Sequence, residues 1–303
     1  MITYVRTNIF ESRADVLVNT VNTVGVMGKG LAKEFKRIYP DMFDIYQKFC
    51  ENGSLTIGKL QLYKTPNKWI LNFPTKANWR SPSKLEYIEQ GLEKFVLNYN
   101  RLAIKSIAFP MLGCGNGGLS WEDEVKPLME KYLKPLPIDI FIHVAKIDAY
   151  KLEHQNQAEI DSWLHNQPRE LSALEFLSDL KMRYRGLINV YINRENRENR
   201  EIEVSIEQGE DEVVYSIAQG DITLCVNEYA LIGMWQSLRK HGLLQPNMLS
   251  ANLAEHAELI MLFLSELEYI TLTEIGDNES IMVVRLLSHK QPLKDEDEIF
   301  FVA

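Results

Sequence analysis

Hydrophobic and polar positions in the first half of the chain follow two alternating periods. Residues 2–5, 16–20, 60–63, 69–73, 104–109 and 138–144 are short apolar runs rich in β-branched and aromatic side chains, as buried strands require. Between them the period changes to that of a helix. Leu31, Phe35 and Ile38 recur at i, i+4 and i+7; Leu85, Ile88, Leu92, Phe95 and Val96 form a second stripe, and Val125, Leu128, Met129 and Tyr132 a third. Strands and helices alternating at this length predict a three-layer α/β/α sandwich around a mixed sheet. In such sheets ligands bind at loops leaving the C-terminal ends of strands, here the loops after Thr20, Phe73 and Phe109.

Beyond Tyr150 the pattern changes. A polar stretch places a linker at 153–168 between a first domain at 1–152 and a second at 169–303. The second domain opens with a helix at 171–182. A charged tip at 193–200, in which acids interrupt the arginines, is read as a solvated hairpin loop. Strand-like runs follow at 202–206, 213–217 and 222–226, then helices at 228–240 and 251–267. The closing strands at 269–274 and 281–287 flank Gly276-Asp277-Asn278, a hairpin turn signal. This half reads as a smaller α+β domain with a winged-helix-like ending.

Charge divides the chain along the same line. Residues 1–154 carry 21 Lys plus Arg against 16 Asp plus Glu, whereas residues 155–303 carry 12 against 26. A mildly basic half suits an anionic substrate; a strongly acidic half repels nucleic acid and attracts a basic partner, or simply aids solubility. No apolar run reaches the roughly 18–20 residues of a spanning helix, and the first residues lack the layout of a signal peptide, so no membrane association and a cytoplasmic location are expected. The three cysteines, Cys50, Cys114 and Cys225, are far apart with no ligand-like spacing, which suggests neither a disulfide framework nor a metal site.

Two of the strand-to-helix loops are rich in glycine. The first runs Asn19-Thr20-Val21-Asn22-Thr23-Val24-Gly25-Val26-Met27-Gly28-Lys29-Gly30-Leu31 into a helix, so a backbone able to approach a phosphate meets a helix N-terminus with free N–H groups. It matches neither dinucleotide-binding nor nucleotide-triphosphate spacing. The second runs Gly113-Cys114-Gly115-Asn116-Gly117-Gly118-Leu119, with four glycines in six residues. Ordering so many glycines is costly, which implies a need for close backbone approach. Two such loops side by side can clamp a diphosphate. Cys114 reads as a packing residue, because no histidine lies nearby in sequence to activate it.

These loops, with Phe109-Pro110 ahead of the second, resemble the macrodomain family of ADP-ribose binders. Asn72-Phe73-Pro74-Thr75-Lys76 and Trp79-Arg80 are further similar to the lysine-dependent ADP-ribosyl glycohydrolases, a group that includes the DarG-like antitoxins acting on DNA. The resemblance covers residues 1 to about 145 and implies most of the site. Asn22 is placed beside the distal ribose, with Gly28, Lys29 and Gly30 around that ring. Gly113, Cys114, Gly115, Asn116, Gly117 and Gly118 are placed around the diphosphate, and Asn19, Thr20, Leu31, Thr75 and Leu119 complete the lining. Asn8, before Ile9, stands where the family has an acid that accepts from the adenine amine; an amide oxygen accepts more weakly. Gly117 stands where a human glycohydrolase of this lysine-dependent group has an aspartate, so the resemblance leaves the chemistry to Lys76. Its amine attacks the anomeric carbon when unprotonated or donates a proton to the leaving base when protonated, and the sequence leaves both open. The resemblance thus implies an antitoxin glycohydrolase that needs no cofactor and acts on ADP-ribosylated thymidine in single-stranded DNA. Its acidic second domain would bind the cognate DarT-like toxin. A reader that holds ADP-ribose without turnover, or an interaction module, is the alternative.

Overall fold

The computed structural model describes residues 1–144, 157–185, 188–194, 197–209, 212–275 and 281–287. The chain divides into two compact units, Met1–Asp161 and Ser162–Ala303. Among the described residues no helix is long and apolar enough to cross a membrane.

The first unit is built on β1 (Ile2–Val5), β2 (Val16–Asn22), α1 (Gly30–Ile38), α2 (Pro40–Glu51), β3 (Gln61–Lys64), β4 (Trp69–Lys76), α3 (Leu85–Asn98), β5 (Ser106–Pro110), α4 (Lys126–Leu133) and β6 (Asp139–His143). The sheet order is β1-β6-β5-β2-β4-β3, and every neighbouring pair is parallel except β3 with β4. Alternate residues of each strand feed opposite layers. Val16, Val18, Leu71, Phe73, Ile107 and Phe109 pack with Ile88, Leu92 and Phe95 of α3 and with Met129 and Leu133 of α4. On the other face Leu17, Val21, Ile70 and Ala108 meet Phe35 of α1 and Met42, Phe43 and Tyr46 of α2. The expected three-layer sandwich with a mixed sheet is therefore the fold. At 40–51 the hydrophobic pattern assigned no element, yet α2 lies there: Pro40 starts it, and Met42, Phe43, Tyr46, Gln47 and Cys50 form its buried face.

A single residue in β4 sets the geometry of the site. Pro74 pairs with Val21 but has no N–H to give to the ladder, and the register shifts just after it. Thr75 is bypassed, and Lys76 rather than Thr75 pairs with Asn22. The slip leaves the lysine opposite Asn22, the last residue of β2, where the loop begins.

In the second unit, α5 (Gln157–Asn166) crosses the division between the units. It is followed by α6 (Ala173–Arg183) and an antiparallel sheet of β7 (Ile188–Arg194), β8 (Arg197–Gln208), β9 (Val213–Gln219) and β10 (Ile222–Asn227). The charged tip at 193–200 is more strand than loop, because Arg194 still pairs with Arg197; residues 195–196 lie outside the described residues. Then come α7 (Glu228–His241), β11 (Leu243–Leu244), α8 (Ala251–Ala254), α9 (Ala257–Leu264), β12 (Ile270–Ile275) and β13 (Ile281–Leu286). The single helix expected at 251–267 is divided into α8 and α9, because the backbone at His256 leaves the helical region. The last two strands pair as an antiparallel hairpin after the helices, which makes the unit α+β. Its turn at Gly276-Asp277-Asn278 and the acidic run Asp295-Glu296-Asp297-Glu298 lie outside the described residues.

Candidate active site

Both glycine-rich loops and Lys76 lie at the C-terminal edge of the parallel strands. The loop after β2 is held by side chains. Asn22 closes it on itself: the amide nitrogen donates to Val26 O at 2.7 Å, while its oxygen accepts from Val24 N at 3.1 Å and Val26 N at 3.3 Å. From α2, Tyr46 OH donates to Asn22 O at 2.8 Å, and Gln47 Nε2 donates to Gly25 O at 3.0 Å. Burial of Tyr46 raises its phenol pKa well above the ordinary value, so the hydroxyl stays protonated and available as a donor. The Asn22 side chain is thus engaged within its own loop.

Of the residues expected in this loop, Gly28 and Lys29 are half-buried, Gly30 is exposed, and Thr20 and Leu31 are partly covered. Asn19 lies deeper. It is 0% exposed, and its amide donates to Asn72 Oδ1 at 2.9 Å, while Asn72 donates to Gln61 Oε1 at 2.8 Å. This relay ties β2, β4 and β3 together beneath the loops.

The second loop is held by close backbone packing. Gly113 accepts from Leu119 N at 3.1 Å, Gly117 accepts from Ser83 N at 3.0 Å, and Gly118 N donates to Gly115 O at 3.3 Å. A Cβ on Gly117 would lie 2.2 Å from Ser83 Oγ and 2.3 Å from Gly113 O, so no side chain fits there. The absence of a carboxylate at this position is therefore structural as well as chemical. Cys114 packs inward with its Sγ 3.4 Å from Leu112 O, and burial pushes its thiol up to about 12, consistent with a packing role. Gly115 and Gly118 are exposed, and Asn116 and Leu119 are half-buried. Ser120 caps the turn that follows by accepting from Asp123 N, and Glu124 accepts from Ser120 N at 2.7 Å.

The two loops touch. A Cβ on Gly30, which has φ +58°, would stand 2.6 Å from Asn116 Nδ2. Only glycine permits both the left-handed backbone and this approach. Lys76 lies at the end of β4 next to the first loop. It is 5% exposed, Thr75 beside it is 4% exposed, and the ammonium reaches Trp79 O at 3.5 Å. Thr23 Oγ1 donates to Ala77 O at 2.7 Å, which pins the chain after Lys76 to the loop after β2. Arg80 lies 4.0 Å above the ring of fully buried Trp79 and is paired with Asp161, so its positive charge is largely balanced.

Asn8 and Ile9 lie after the end of β1, at the edge of the sheet and separated from β2 by β6 and β5. Asn8 is exposed and caps a short 3-10 turn, its oxygen accepting from Phe10 N at 3.1 Å, whereas Ile9 is buried. His143, at the end of β6, bonds Thr7 O through Nδ1 at 2.9 Å and steadies that turn. Reading the sequence missed Tyr46, Gln47, Ser83, Asp161 and His143. None lies in a glycine-rich motif, and each reaches the site through packing.

The sequence model described as "Macro domain" matches residues 18–128. A protein of Thermus aquaticus named DNA ADP-ribosyl glycohydrolase is 45% identical over 148 residues, which is 47% of this chain and 41% of that protein. A DNA ADP-ribosyl transferase-DNA ADP-ribosyl glycohydrolase fusion protein of Thermosipho africanus is 41% identical over 156 residues, 45% of this chain and 40% of that one. The solved macrodomain of Mycobacterium tuberculosis DarG is 48% identical and superposes with a TM-score of 0.46, covering 47% of this chain and 97% of that structure. The matched segment thus spans about two-fifths of the length of the curated relatives. The family model thus matches residues 18–128 within the first unit, the part of the chain that carries the strand order and paired glycine loops described above.

Proposed function

We propose that the first unit is an ADP-ribosyl glycohydrolase that removes ADP-ribose from thymidine bases in single-stranded DNA, with Lys76 acting on the glycosidic bond. The observation that carries this reading is a buried lysine at the strand end where two touching glycine loops converge. The loops offer backbone N–H groups to a diphosphate, which would bring the far ribose toward the end of β4. There Lys76, as the free amine, either displaces the base at the anomeric carbon or condenses with the opened aldehyde as the base leaves, giving an adduct that water then hydrolyses. As the ammonium it instead donates a proton to the departing base while water bonds to the anomeric carbon. Cys114 is not a competing nucleophile at neutral pH, because its thiol is buried and protonated. The choice of DNA as substrate is supported by the names of relatives more than 40% identical over this unit.

The test is incubation of the protein with an ADP-ribosylated single-stranded oligonucleotide. Release of ADP-ribose and return of the oligonucleotide to its unmodified mass support the reading. Binding of ADP-ribose without release would make the unit a reader. Borohydride trapping of a covalent lysine adduct separates attack by the amine from proton donation.

We also infer that residues 169–303 bind a DarT-like DNA ADP-ribosyltransferase. Such an enzyme must present a basic groove to DNA, and the 26 acids against 12 basic residues after position 154 have the complementary sign. The Thermosipho relative, whose name joins the two activities in one chain, favours such a pairing. The 303-residue chain carrying Lys76→Ala should still suppress DNA modification by the transferase, and less so as salt rises. If it leaves the transferase fully active, neutralisation is enzymatic only.

A further inference from the structure

Ser83 has a buried hydroxyl that the fold itself does not use. The residue is 5% exposed, and its Oγ has no hydrogen-bond partner. It lies in the connection from β4 to α3 and points into the curve of the second glycine loop, within 2.2 Å of where a Cβ on Gly117 would be and 3.2 Å of one on Gly113. Each carbonyl beside it already accepts one backbone N–H, Gly117 O from Ser83 N and Gly113 O from Leu119 N, and neither is bonded by the Ser83 hydroxyl. Buried hydroxyls almost always find a partner, because leaving one without is costly. A loop that excludes every side chain at Gly117 yet holds an unpaired hydroxyl against that same glycine has the form of a site awaiting an acceptor.

We propose that the Ser83 hydroxyl is a ligand-binding group of this loop and donates a hydrogen bond to a diphosphate oxygen of ADP-ribose. The inference rests on the reading that the loops hold that ligand. The backbone N–H of Ser83 shapes the loop through Gly117 O, and its hydroxyl supplies a donor that a glycine loop has no side chain to provide. A charged oxygen is a strong acceptor for such a donor.

The test is titration of the full chain with ADP-ribose, alongside thermal melting without ligand. Ser83→Ala should weaken ADP-ribose binding roughly tenfold or more, while the unliganded melting temperature stays level or rises, since the lost hydroxyl had no partner. Ser83→Cys, which keeps the volume with a poor donor, should show the same loss. ADP, which has the diphosphate without the distal ribose, should show the same ratio. Unchanged affinity in Ser83→Ala overturns the inference. So does a fall in melting temperature that accompanies the loss of affinity, or full affinity in Ser83→Cys, since either assigns the residue to packing. A loss for ADP-ribose but not ADP overturns the diphosphate assignment. Failure of the wild-type chain to bind ADP-ribose would overturn the functional reading itself, whereas wild-type binding with an indifferent Ser83→Ala overturns this inference alone.

Discussion

The two glycine-rich loops of the first unit are held in opposite ways. The loop after β2 is tied by side chains: Asn22 spans it, and Tyr46 and Gln47 reach it from α2. The loop after β5 is tied by its own backbone and by the absence of side chains at Gly113 and Gly117. The first loop is sensitive at its braces and also at Gly25, which is buried with φ +84°. The second is sensitive where its packing is closest, at Gly113 and Gly117, while its Gly115 and Gly118 are exposed. The two loops meet at Gly30 and Asn116.

The largest effect should come from the residue that belongs to neither loop. Lys76→Ala is expected to lower turnover on ADP-ribosylated DNA by about 10²–10⁴-fold, with ADP-ribose affinity kept within several-fold. Single-turnover kinetics and calorimetry on the same protein check the separation. Wild-type rates in this variant would place the chemistry elsewhere.

At the junction, Gly30→Glu puts bulk and negative charge beside Asn116 and forces a positive φ on a residue with a side chain. ADP-ribose binding should fall below detection in calorimetry, in a chain that still folds. Gly118→Glu, in the second loop, should do the same by meeting the diphosphate with a like charge.

The contrast between the loops is sharpened by one variant of each kind. Asn22→Ala strips the brace and leaves buried backbone groups of its loop without partners, for a loss of about 1–3 kcal/mol in denaturant unfolding. Gly117→Ala overpacks the other loop against Ser83 and Gly113 O and should destabilise by about 1–3 kcal/mol as well. The two should differ in their remedy. Ser83→Ala or Ser83→Gly, which open space beside position 117, should recover part of the Gly117→Ala loss and none of the Asn22→Ala loss. Equal recovery in both would mean that the loops are not independently held.

The smallest effect belongs to Cys114. With burial holding its thiol up to about 12, the thiolate fraction at pH 8 is on the order of one in ten thousand, and Cys50 is raised in the same way. Iodoacetamide on the native protein should therefore modify exposed Cys225 alone, as read by peptide mass. Cys114→Ala should keep release of ADP-ribose from modified DNA within a few-fold of wild type. Rapid alkylation of Cys114 would mean that the second loop opens in solution.

By itself the sequence determined the layers of the first unit and the glycine-rich loops proposed to hold its ligand. Period-two runs and helical stripes depend only on neighbours along the chain, and the glycines of both loops declare a local backbone requirement. The lysine after Asn72-Phe73-Pro74-Thr75 was legible from motif resemblance, and so was the acidity of residues 155–303. α2 was not legible, although its residues became the braces of the first loop. In the second unit the break between α8 and α9 was equally hidden, since it lies in the backbone angles at His256 rather than in the hydrophobic pattern. Tertiary structure alone decided that Pro74 slips the register so that Lys76 faces Asn22, and that Ser83 fills the space beside Gly117. It also decided that Asn19 lies below the site in a buried relay and that Asp161 pairs with Arg80. Each of these joins residues distant in sequence. The physical reason is that packing and hydrogen bonding act through space, whereas periodicity and composition register only what lies nearby along the chain.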